Sequence, residues 1–311
     1  MSTSIKTGVQ LVRVSAERDG QRLDNFLSAR LKGFPRSAIY RIIRTGQVRI
    51  NGGRCKPHTR LCDGDEVRIP PARIREQGKI VVSDQVCQQI REAVLFQNKD
   101  LLVFNKPSGM AVHAGSGLPW GLIDVVRQLH SGEYCELAHR LDRATSGCLV
   151  LARNGITLKH LSGQFRDGQV QKFYLCLLDG EMNEPMIEVD APLKKVQSGA
   201  ERQMEVNEAG KPALTRFRRL QTYADCTYAE AELLSGRTHQ IRVHARHMGM
   251  PLAGETRYAS RESVNQWKKK GLHRIFLHAQ RLSLQTVSGE RIEFNAPLPE
   301  NLKGLLDRLE D

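Results

Sequence analysis

The chain lacks long apolar stretches, paired cysteines and a signal-peptide-like N-terminus. No uninterrupted apolar run approaches the length of a transmembrane helix, which argues against a membrane-spanning segment. The seven cysteines form no Cys-x-x-Cys pair, so we interpret them as reduced, mostly buried thiols. The first six residues have no apolar core. We therefore expect a cytoplasmic protein that has no membrane partner.

Acidic residues are also under-represented. The 311 residues include 47 Lys and Arg against 34 Asp and Glu, a net charge of +13. This excess favours a polyanionic partner such as nucleic acid or an anionic membrane surface. The charge is uneven, because residues 20–72 contain eleven basic and four acidic residues and so carry +7. A chain of this length has room for two domains, and one of them is markedly basic.

The basic segment has the pattern of two short helices followed by a small sheet. Leu23, Phe26, Leu27 and Leu31 recur at helical spacing, and a second helix is predicted from Arg36 to about Thr45. A strand then leads into an Asn-Gly turn at residues 51–52. This order resembles the S4-like RNA-binding domain. The resemblance implies phosphate contacts, which position RNA without reading its sequence, from Arg36, Arg41 and Arg44.

A loop around one carboxylate is the central feature of the rest of the chain. Residues 137–147 lie between two short apolar runs, which predicts strand, loop and strand. The loop holds Asp142 between Arg140 and Arg143, and nearby positive charge favours an ionised carboxylate. Such a group suits a nucleophile or a general base. An Asx-turn with surface ion pairs is the alternative that these residues leave open.

The same loop resembles the signature of the RluA-type pseudouridine synthases, which isomerise uridine to pseudouridine in structured RNA. It reads His-Arg-Leu-Asp at residues 139–142 and Thr-Ser-Gly at residues 145–147. The resemblance implies that Asp142 is the nucleophile and that Arg140 helps to displace the target base. It also implies RNA-site roles for His139, Thr145 and Ser146.

Three further segments match this family. Residues 105–109 read Asn-Lys-Pro-Ser-Gly, residues 172–174 Lys-Phe-Tyr, and residues 236–242 Gly-Arg-Thr-His-Gln-Ile-Arg. The resemblance implies that Tyr174 stacks under the uracil and that Arg242 contacts the catalytic Asp. It also implies that Lys106, Arg237 and His239 lie at the cleft.

The position of Arg242 in a predicted helix indicates an anionic partner, independently of the resemblance. Thr238 is a suitable helix N-cap, which places Arg242 in the first turns, where a cation is disfavoured. An anionic partner, either Asp142 or an RNA phosphate, would offset that cost. If the partner is Asp142, we expect two parallel hydrogen bonds between guanidinium and carboxylate.

The resemblance implies an α+β fold: a mixed, mainly antiparallel central sheet with flanking helices and loops, plus a small α/β S4-like domain. We predict four parts: a tail at 1–19, the S4-like domain at 20–72, a linker at 73–91 and a catalytic domain at 92–311. The implied activity is uridine isomerisation in ribosomal RNA, within the large subunit, by a monomer without a cofactor.

Other functions are less favoured. His239, His244 and His247 lack metal-ligand spacing and a carboxylate cluster. The His-Arg-Leu-Asp sequence also occurs in kinase loops, but the chain lacks a kinase phosphate loop. A non-catalytic RNA chaperone or an RNA hydrolase would use the same basic surface. The sequence leaves open which uridines are modified and whether attack occurs at the sugar or the base.

Overall fold

The computed structural model describes residues 4–6, 8–31, 34–75, 82–115, 118–198 and 201–310. The chain divides into two compact units, Met1–Val81 and Val82–Asp311. Within the described ranges, no helix is long and apolar enough to cross a membrane. The first unit contains β1 (Ser4–Lys6), β2 (Gln10–Arg13), a 3₁₀ turn (Ala16–Arg18), α1 (Leu23–Arg30), α2 (Arg36–Arg44), β3 (Arg49–Ile50), β4 (Glu66–Ile69) and β5 (Arg73–Arg75).

The first unit packs its two helices against a small antiparallel sheet. The sheet has the strand order β2-β4-β3, and β1 pairs separately with β5. The predicted helices are confirmed, because their regularly spaced apolar residues form the core. Each such side chain contributes about 1.5–3 kcal/mol when fully buried. The fully buried members include Leu23, Phe26, Leu27, Ile39, Ile43, Val67 and Ile69.

Two details of the first unit bear on the sequence predictions. Asn51 and Gly52 have φ angles of 49° and 76°, the left-handed pair that a tight hairpin turn requires, so the predicted turn is confirmed. Residues 10–13, which we assigned to a tail, form β2 and pair with β4. Short strands of this kind depend on their pairing partner more than on their own hydrophobicity.

The second unit is built around a long mixed sheet. Its helices and strands are α3 (Asp84–Glu92), β6 (Val94–Gln97), β7 (Leu101–Lys106), α4 (Leu122–Leu129), β8 (Glu136–Leu137), β9 (Ser146–Ala152), α5 (Gly155–Arg166), β10 (Gln171–Leu178), β11 (Met186–Asp190), β12 (Leu193–Ser198), β13 (Glu201–Val206), β14 (Leu214–Thr222), β15 (Thr227–Leu233), α6 (Gln240–His247), α7 (Arg261–Lys269), β16 (Leu277–Gln285), β17 (Arg291–Asn295) and α8 (Glu300–Glu310).

The main sheet has the order β11-β14-β15-β10-β16-β9-β7-β6, with β17 paired to β16 and β8 to β9. Its described pairings are antiparallel except that of β9 with β16. The predicted α+β class with a mixed, mainly antiparallel sheet is confirmed. Strand β9 is buried along its whole length, as expected for a strand with neighbours on both edges and layers on both faces.

Two segments have more regular structure than the sequence indicated. Part of the assigned linker forms α3, which begins at the N-cap Ser83 and buries Cys87 and Ile90. Residues 76–81 of that linker lie outside the described residues. The charged stretch that begins at Lys194 has no clear sequence pattern, yet much of it pairs as the antiparallel strands β12 and β13.

The parallel contact between β9 and β16 depends on Gly147. This residue pairs with Ala279 and has a φ of 115°. A Cβ at this position would lie 2.2 Å from the carbonyl oxygen of Ala279. Only glycine therefore allows the two strands to meet where the Asp142 loop enters the sheet.

We expect Gly147→Ala to lower the free energy of unfolding of the second unit by at least about 2 kcal/mol, from backbone strain and overlap with Ala279. Urea unfolding followed by tryptophan fluorescence measures this, because Trp120 and Trp267 both belong to this unit. Gly289→Ala is the matched control: its φ is 87°, but the Cβ would meet nothing within 4 Å. Equal losses in both variants would contradict the role assigned to the close approach.

Candidate active site

A cavity of about 320 Å³ opens in the second unit beside the Asp142 loop. The loop after β8, strand β10 and the start of α6 all contribute to its wall. The sequence-predicted residues that line it are His139, Arg140, Asp142, Thr145, Tyr174, Arg237, His239 and Arg242. Chain segments far apart in sequence therefore converge on one site. Arg36, Arg41 and Arg44 belong to the first unit and are exposed on α2.

Two donors flank the carboxylate of Asp142. Its side chain is 19% exposed, and Oδ2 lies 3.6 Å from Nη1 of Arg242 and 3.6 Å from Nε2 of His239. The Asp142 main-chain oxygen accepts a hydrogen bond of 3.1 Å from the amide of Thr145, which closes the loop. Distances of 3.6 Å exceed those of direct hydrogen bonds. The carboxylate is thus attracted by both groups without being tightly bound by either.

The two parallel hydrogen bonds expected between Arg242 and Asp142 go to Glu255 instead. Nε and Nη2 of Arg242 donate to the two carboxylate oxygens of Glu255 over 2.6 and 2.7 Å. The prediction of an anionic partner is right, and Asp142 is a second, weaker partner through Nη1. A guanidinium fork can serve two carboxylates because its five N–H groups point along different directions.

Glu255 is a functional residue that the sequence motifs missed. It is 1% exposed, and Oε1 also accepts hydrogen bonds from the amides of Arg257 and Tyr258. Burial is the largest influence and raises the pKa of Glu255, but the hydrogen bonds and charge of Arg242, together with the two amide hydrogen bonds, outweigh it, and the pKa is lowered. The residue therefore stays ionised. A single carboxylate after Gly254 in an otherwise apolar stretch was the available signal.

His239 occupies a strained position at the start of α6. The predicted N-cap Thr238 is wrong: the helix begins at Gln240, and the N-cap is His239, with a left-handed φ of 56°. A non-glycine residue there costs about 1–3 kcal/mol, and such strain is typical of functional sites. The backbone twist allows the imidazole to reach both the cavity wall and the hydroxyl of Tyr258.

The hydrogen bonds of Tyr258 favour one tautomer of His239. The Tyr258 oxygen accepts a hydrogen bond from the amide of Met204 and lies 2.6 Å from Nδ1 of His239. If the tyrosine hydroxyl donates to Nδ1, the ring proton sits on Nε2 and points at Asp142. Burial lowers the pKa of His239, so the neutral form dominates. His239 then supplies a donor without adding charge.

Tyr174 lies on the cavity wall, in β10. The residue is 9% exposed, and it shares a strand face with Lys172, which also lines the cavity. Burial, with a smaller effect from Asp142, raises the pKa of Tyr174 above its usual value of 10. Its phenol is therefore neutral, and it offers an aromatic surface to a ligand.

Lys106 has a different role from the one expected. The side chain is completely buried, and Nζ donates to the carbonyl oxygens of Pro107, Met110 and Arg143 over 2.8, 2.9 and 3.3 Å. It thus has no surface with which to contact RNA, and we correct its assignment to a support of the Asp142 loop. Burial, with help from the charge of Arg274, lowers the pKa of Lys106 to about 7.

His139 and Ser146 also support the loop from behind. Nε2 of His139 accepts a hydrogen bond of 3.0 Å from the amide of Val150, and its ring stacks on Phe165. The hydroxyl of Ser146 is buried between Nδ1 of His278 and the guanidinium of Arg274, at 2.9 and 2.8 Å. We had assigned no role to Arg274 or His278. The resemblance implied that Ser146 contacts RNA. Its hydroxyl is buried, so we correct this assignment to a structural role.

His244, one of the histidines considered above as metal ligands, has two partners within the protein. Nδ1 of His244 meets the hydroxyl of Thr215, and Nε2 meets the carbonyl oxygen of Ala191, each over 2.9 Å. In the described part of the chain, no three His, Cys, Asp or Glu side chains gather as a metal site.

We expect Glu255→Gln to lower the free energy of unfolding by about 3–5 kcal/mol at pH 7, because it leaves the Arg242 charge buried without its main partner. Glu290→Gln, at an exposed position, is the control. The folded pKa of Glu255 lies below the unfolded value of about 4.3, so its stabilisation is complete above that value and is lost progressively as the pH falls through the folded pKa. Urea unfolding at pH 7 and at about pH 3 measures both effects. A loss independent of pH would contradict the ionic origin.

Comparison with known proteins extends these observations. A family model described as RNA pseudouridylate synthase matches residues 100–247, and an S4 domain model matches residues 21–67. The chain is 45% identical over 304 residues to the ribosomal large subunit pseudouridine synthase C of Yersinia pestis, covering 96% of this chain and 95% of that protein. The corresponding protein of Escherichia coli K12 is 44% identical over 309 residues, covering 97% of each.

A solved structure from the same family has a similar fold over most of the chain. The structure of human RNA pseudouridylate synthase domain containing 4 aligns with a TM-score of 0.59 and 25% sequence identity. The alignment covers 73% of this chain and 96% of the human one.

Proposed function

The chain belongs to the RNA pseudouridylate synthase family, and from this premise we propose that it isomerises uridines of large-subunit ribosomal RNA to pseudouridine, with Asp142 as nucleophile. The large subunit is part of the names of the Yersinia and Escherichia relatives. The observation that carries the proposal is the half-buried Asp142 carboxylate, flanked by Arg242 and His239 in a cavity that Tyr174 also lines.

The cavity requires that the target base leave the RNA stack. Extruding a nucleotide costs about a few kcal/mol, and contacts to the flipped base and to the gap it leaves offset this cost. Arg140 is exposed at the edge of the cavity, where its guanidinium can occupy the vacated position. Tyr174 provides the aromatic surface on which a detached uracil can be held while it turns.

The chemistry uses one nucleophile and no change of oxidation state. An oxygen of Asp142 attacks either the sugar or the base, and we leave both routes open. In either case the bond between C1′ and N1 breaks, the uracil rotates and C5 bonds to C1′. The bond that Asp142 formed breaks again, which returns the free carboxylate, and the C5 proton is lost while N1 gains one. The atoms of product and substrate are the same, so the reaction itself calls for no electron carrier.

The surroundings of Asp142 fit this role. Arg242 and His239 hold one oxygen at 3.6 Å, which restricts the direction of the carboxylate and leaves its lone pairs available. Misplacement of a reacting group by about 1 Å can cost on the order of a hundredfold in rate. The buried anchoring of Arg242 by Glu255 is therefore part of the proposed mechanism.

The basic surface of the first unit is proposed to anchor the RNA. Arg41 and Arg44 line a shallow pocket with Tyr40 and Lys56, and Arg36 is exposed on the same helix. The hydroxyl of Tyr40 donates to the buried carboxylate of Asp24, which fixes α2. A ribosomal RNA substrate would place the protein in the cytoplasm, and we propose a monomer because residues of one chain line the cavity.

A non-catalytic RNA chaperone is the second candidate, favoured by the same exposed arginines of α2. Binding alone, however, requires no strained His239 and no half-buried carboxylate held between two donors. These features favour the enzyme.

We expect Asp142→Asn to abolish pseudouridine formation, because an amide of nearly the same shape cannot act as the nucleophile. RNA affinity should stay within about threefold of wild type, since the cavity wall is preserved. Single-turnover assays on large-subunit ribosomal RNA and filter binding measure the two quantities, with the exposed Asp307→Asn as control. Pseudouridine formation by pure Asp142→Asn would refute the assignment.

We expect replacement of Arg36, Arg41 and Arg44 together by glutamine to weaken RNA binding and to flatten its salt dependence, by about 0.7–0.9 in slope for each phosphate that the protein no longer neutralises. The rate at saturating RNA should be unchanged. A variant with Lys268, Lys269 and Lys303 changed to glutamine removes equal charge from exposed helix positions in the second unit. If the slope fell equally in both variants, the effect would reflect net charge and not a docking surface on α2.

A further inference from the structure

Lys172 is a buried cation at the wall of the active-site cavity. It lies two residues before Tyr174 on β10, so the two side chains share one face of the strand. Both line the cavity. Lys172 is only 8% exposed, and its burial lowers the pKa of its ammonium group.

The ammonium of Lys172 has little to interact with in the cavity wall. Its acceptor among the described residues is the carbonyl oxygen of Ser235 at 3.5 Å, the outer limit of a hydrogen bond. The ion pairs of the described ranges do not include it. Lys106, the other buried lysine, donates to three carbonyl oxygens. A buried charge so poorly compensated is costly and points to a partner that arrives with the ligand.

The other cations at the site are paired with a carboxylate, neutral or less buried than Lys172. Arg242 is paired with Glu255 and directed at Asp142. Arg237 donates to the carbonyl oxygen of Pro212, and Arg140 is exposed. His239 is neutral and faces Asp142. Arg166, which also lines the cavity, is paired with Asp167. Among the described cations of the cavity wall, Lys172 is therefore the buried one that no carboxylate balances, and it lies on the strand face of Tyr174.

The proposed reaction generates a charge that such a cation would meet. When the C1′–N1 bond breaks, its electron pair stays on the uracil, and the negative charge spreads over N1 and the two carbonyl oxygens. Attack on the base also moves negative charge onto a carbonyl oxygen. In a cavity of low dielectric, a positioned donor stabilises such charge far more than it would in water.

We propose that Lys172 donates a hydrogen bond from its ammonium group to a carbonyl oxygen of the flipped uracil and stabilises the negative charge that this base carries while it is detached. This inference rests on the proposed isomerase function and deepens it. It makes Lys172 a catalytic residue whose contribution grows as charge develops on the base.

The test compares Lys172→Met with wild type on two RNAs. Methionine keeps the length and the apolar stem but removes the charge. One RNA carries uridine at the target position, and the other carries 5-fluorouridine, whose fluorine withdraws electrons and stabilises the detached anion. Single-turnover loss of the original nucleoside reports on breakage of the C1′–N1 bond, even though C5 of the fluorinated base has no proton to lose.

With uridine we expect Lys172→Met to be slower by about 100-fold, the usual effect of losing one charge-stabilising donor. With 5-fluorouridine the loss should shrink to about tenfold or less, and RNA affinity should stay within about threefold. The exposed Lys269→Met is the control for the removal of one positive charge. Lys106→Met, which removes a loop support, should slow both substrates by the same factor.

The outcomes separate the inference from the proposed function. Unchanged rates in Lys172→Met, or equal losses on both RNAs, would overturn the role of Lys172 while leaving the isomerase intact. Failure of the wild-type protein to convert uridine would overturn the function itself. Loss of folding is not expected, because replacing a poorly paired buried charge with an apolar group of similar size is often neutral or stabilising. Lys172→Gln is the second variant, and the same two criteria apply to it.

Discussion

The buried ion pair between Glu255 and Arg242 is the interaction on which the geometry of the site depends. Two hydrogen bonds of 2.6 and 2.7 Å join the side chains, and Glu255 also binds the amides of Arg257 and Tyr258. Buried ion pairs contribute little net stability, since desolvation offsets the attraction. The pair instead positions the start of α6, because it joins this helix to the loop that carries Tyr258. Both donors to Asp142 depend on that junction.

The pairing also explains how a carboxylate can remain reactive beside a guanidinium. A carboxylate held by a full guanidinium fork has its oxygens engaged and its direction of attack restricted. Here Glu255 takes the two strong hydrogen bonds, and Asp142 receives one nitrogen at 3.6 Å. The neutral imidazole of His239 adds a second donor without a second charge. For the proposed reaction, Asp142 is thus oriented but not neutralised.

The sequence predicted those helices and strands that the local spacing of apolar residues determines. Amphipathic spacing located α1 and α2, and the apolar runs on either side of the Asp142 loop located β8 and β9. Contacts over long sequence separations could not be read this way. Lys106 sits in a Pro-Gly turn, a pattern typical of exposed residues, yet it is buried because the carbonyl of Arg143 closes over it. Glu255 carries no motif, and its role follows only from the approach of α6. The short helix α3 buries too few residues to give a clear period.

The two buried cations of the cavity, Arg242 and Lys172, differ in the partners that balance their charges. Arg242 has a resident carboxylate at hydrogen-bonding distance, so its charge is balanced whether or not RNA is bound. Lys172 has one distant carbonyl oxygen and bears a desolvation cost that this acceptor does not offset. Under the proposed mechanism, the charge of Lys172 gains a full partner only when negative charge develops on the base. Such an interaction raises the reaction rate and not merely the affinity for RNA, because catalysis depends on interactions that strengthen in the transition state. The arrangement therefore assigns orientation of the nucleophile to the paired cation and stabilisation of the departing base to the unpaired one.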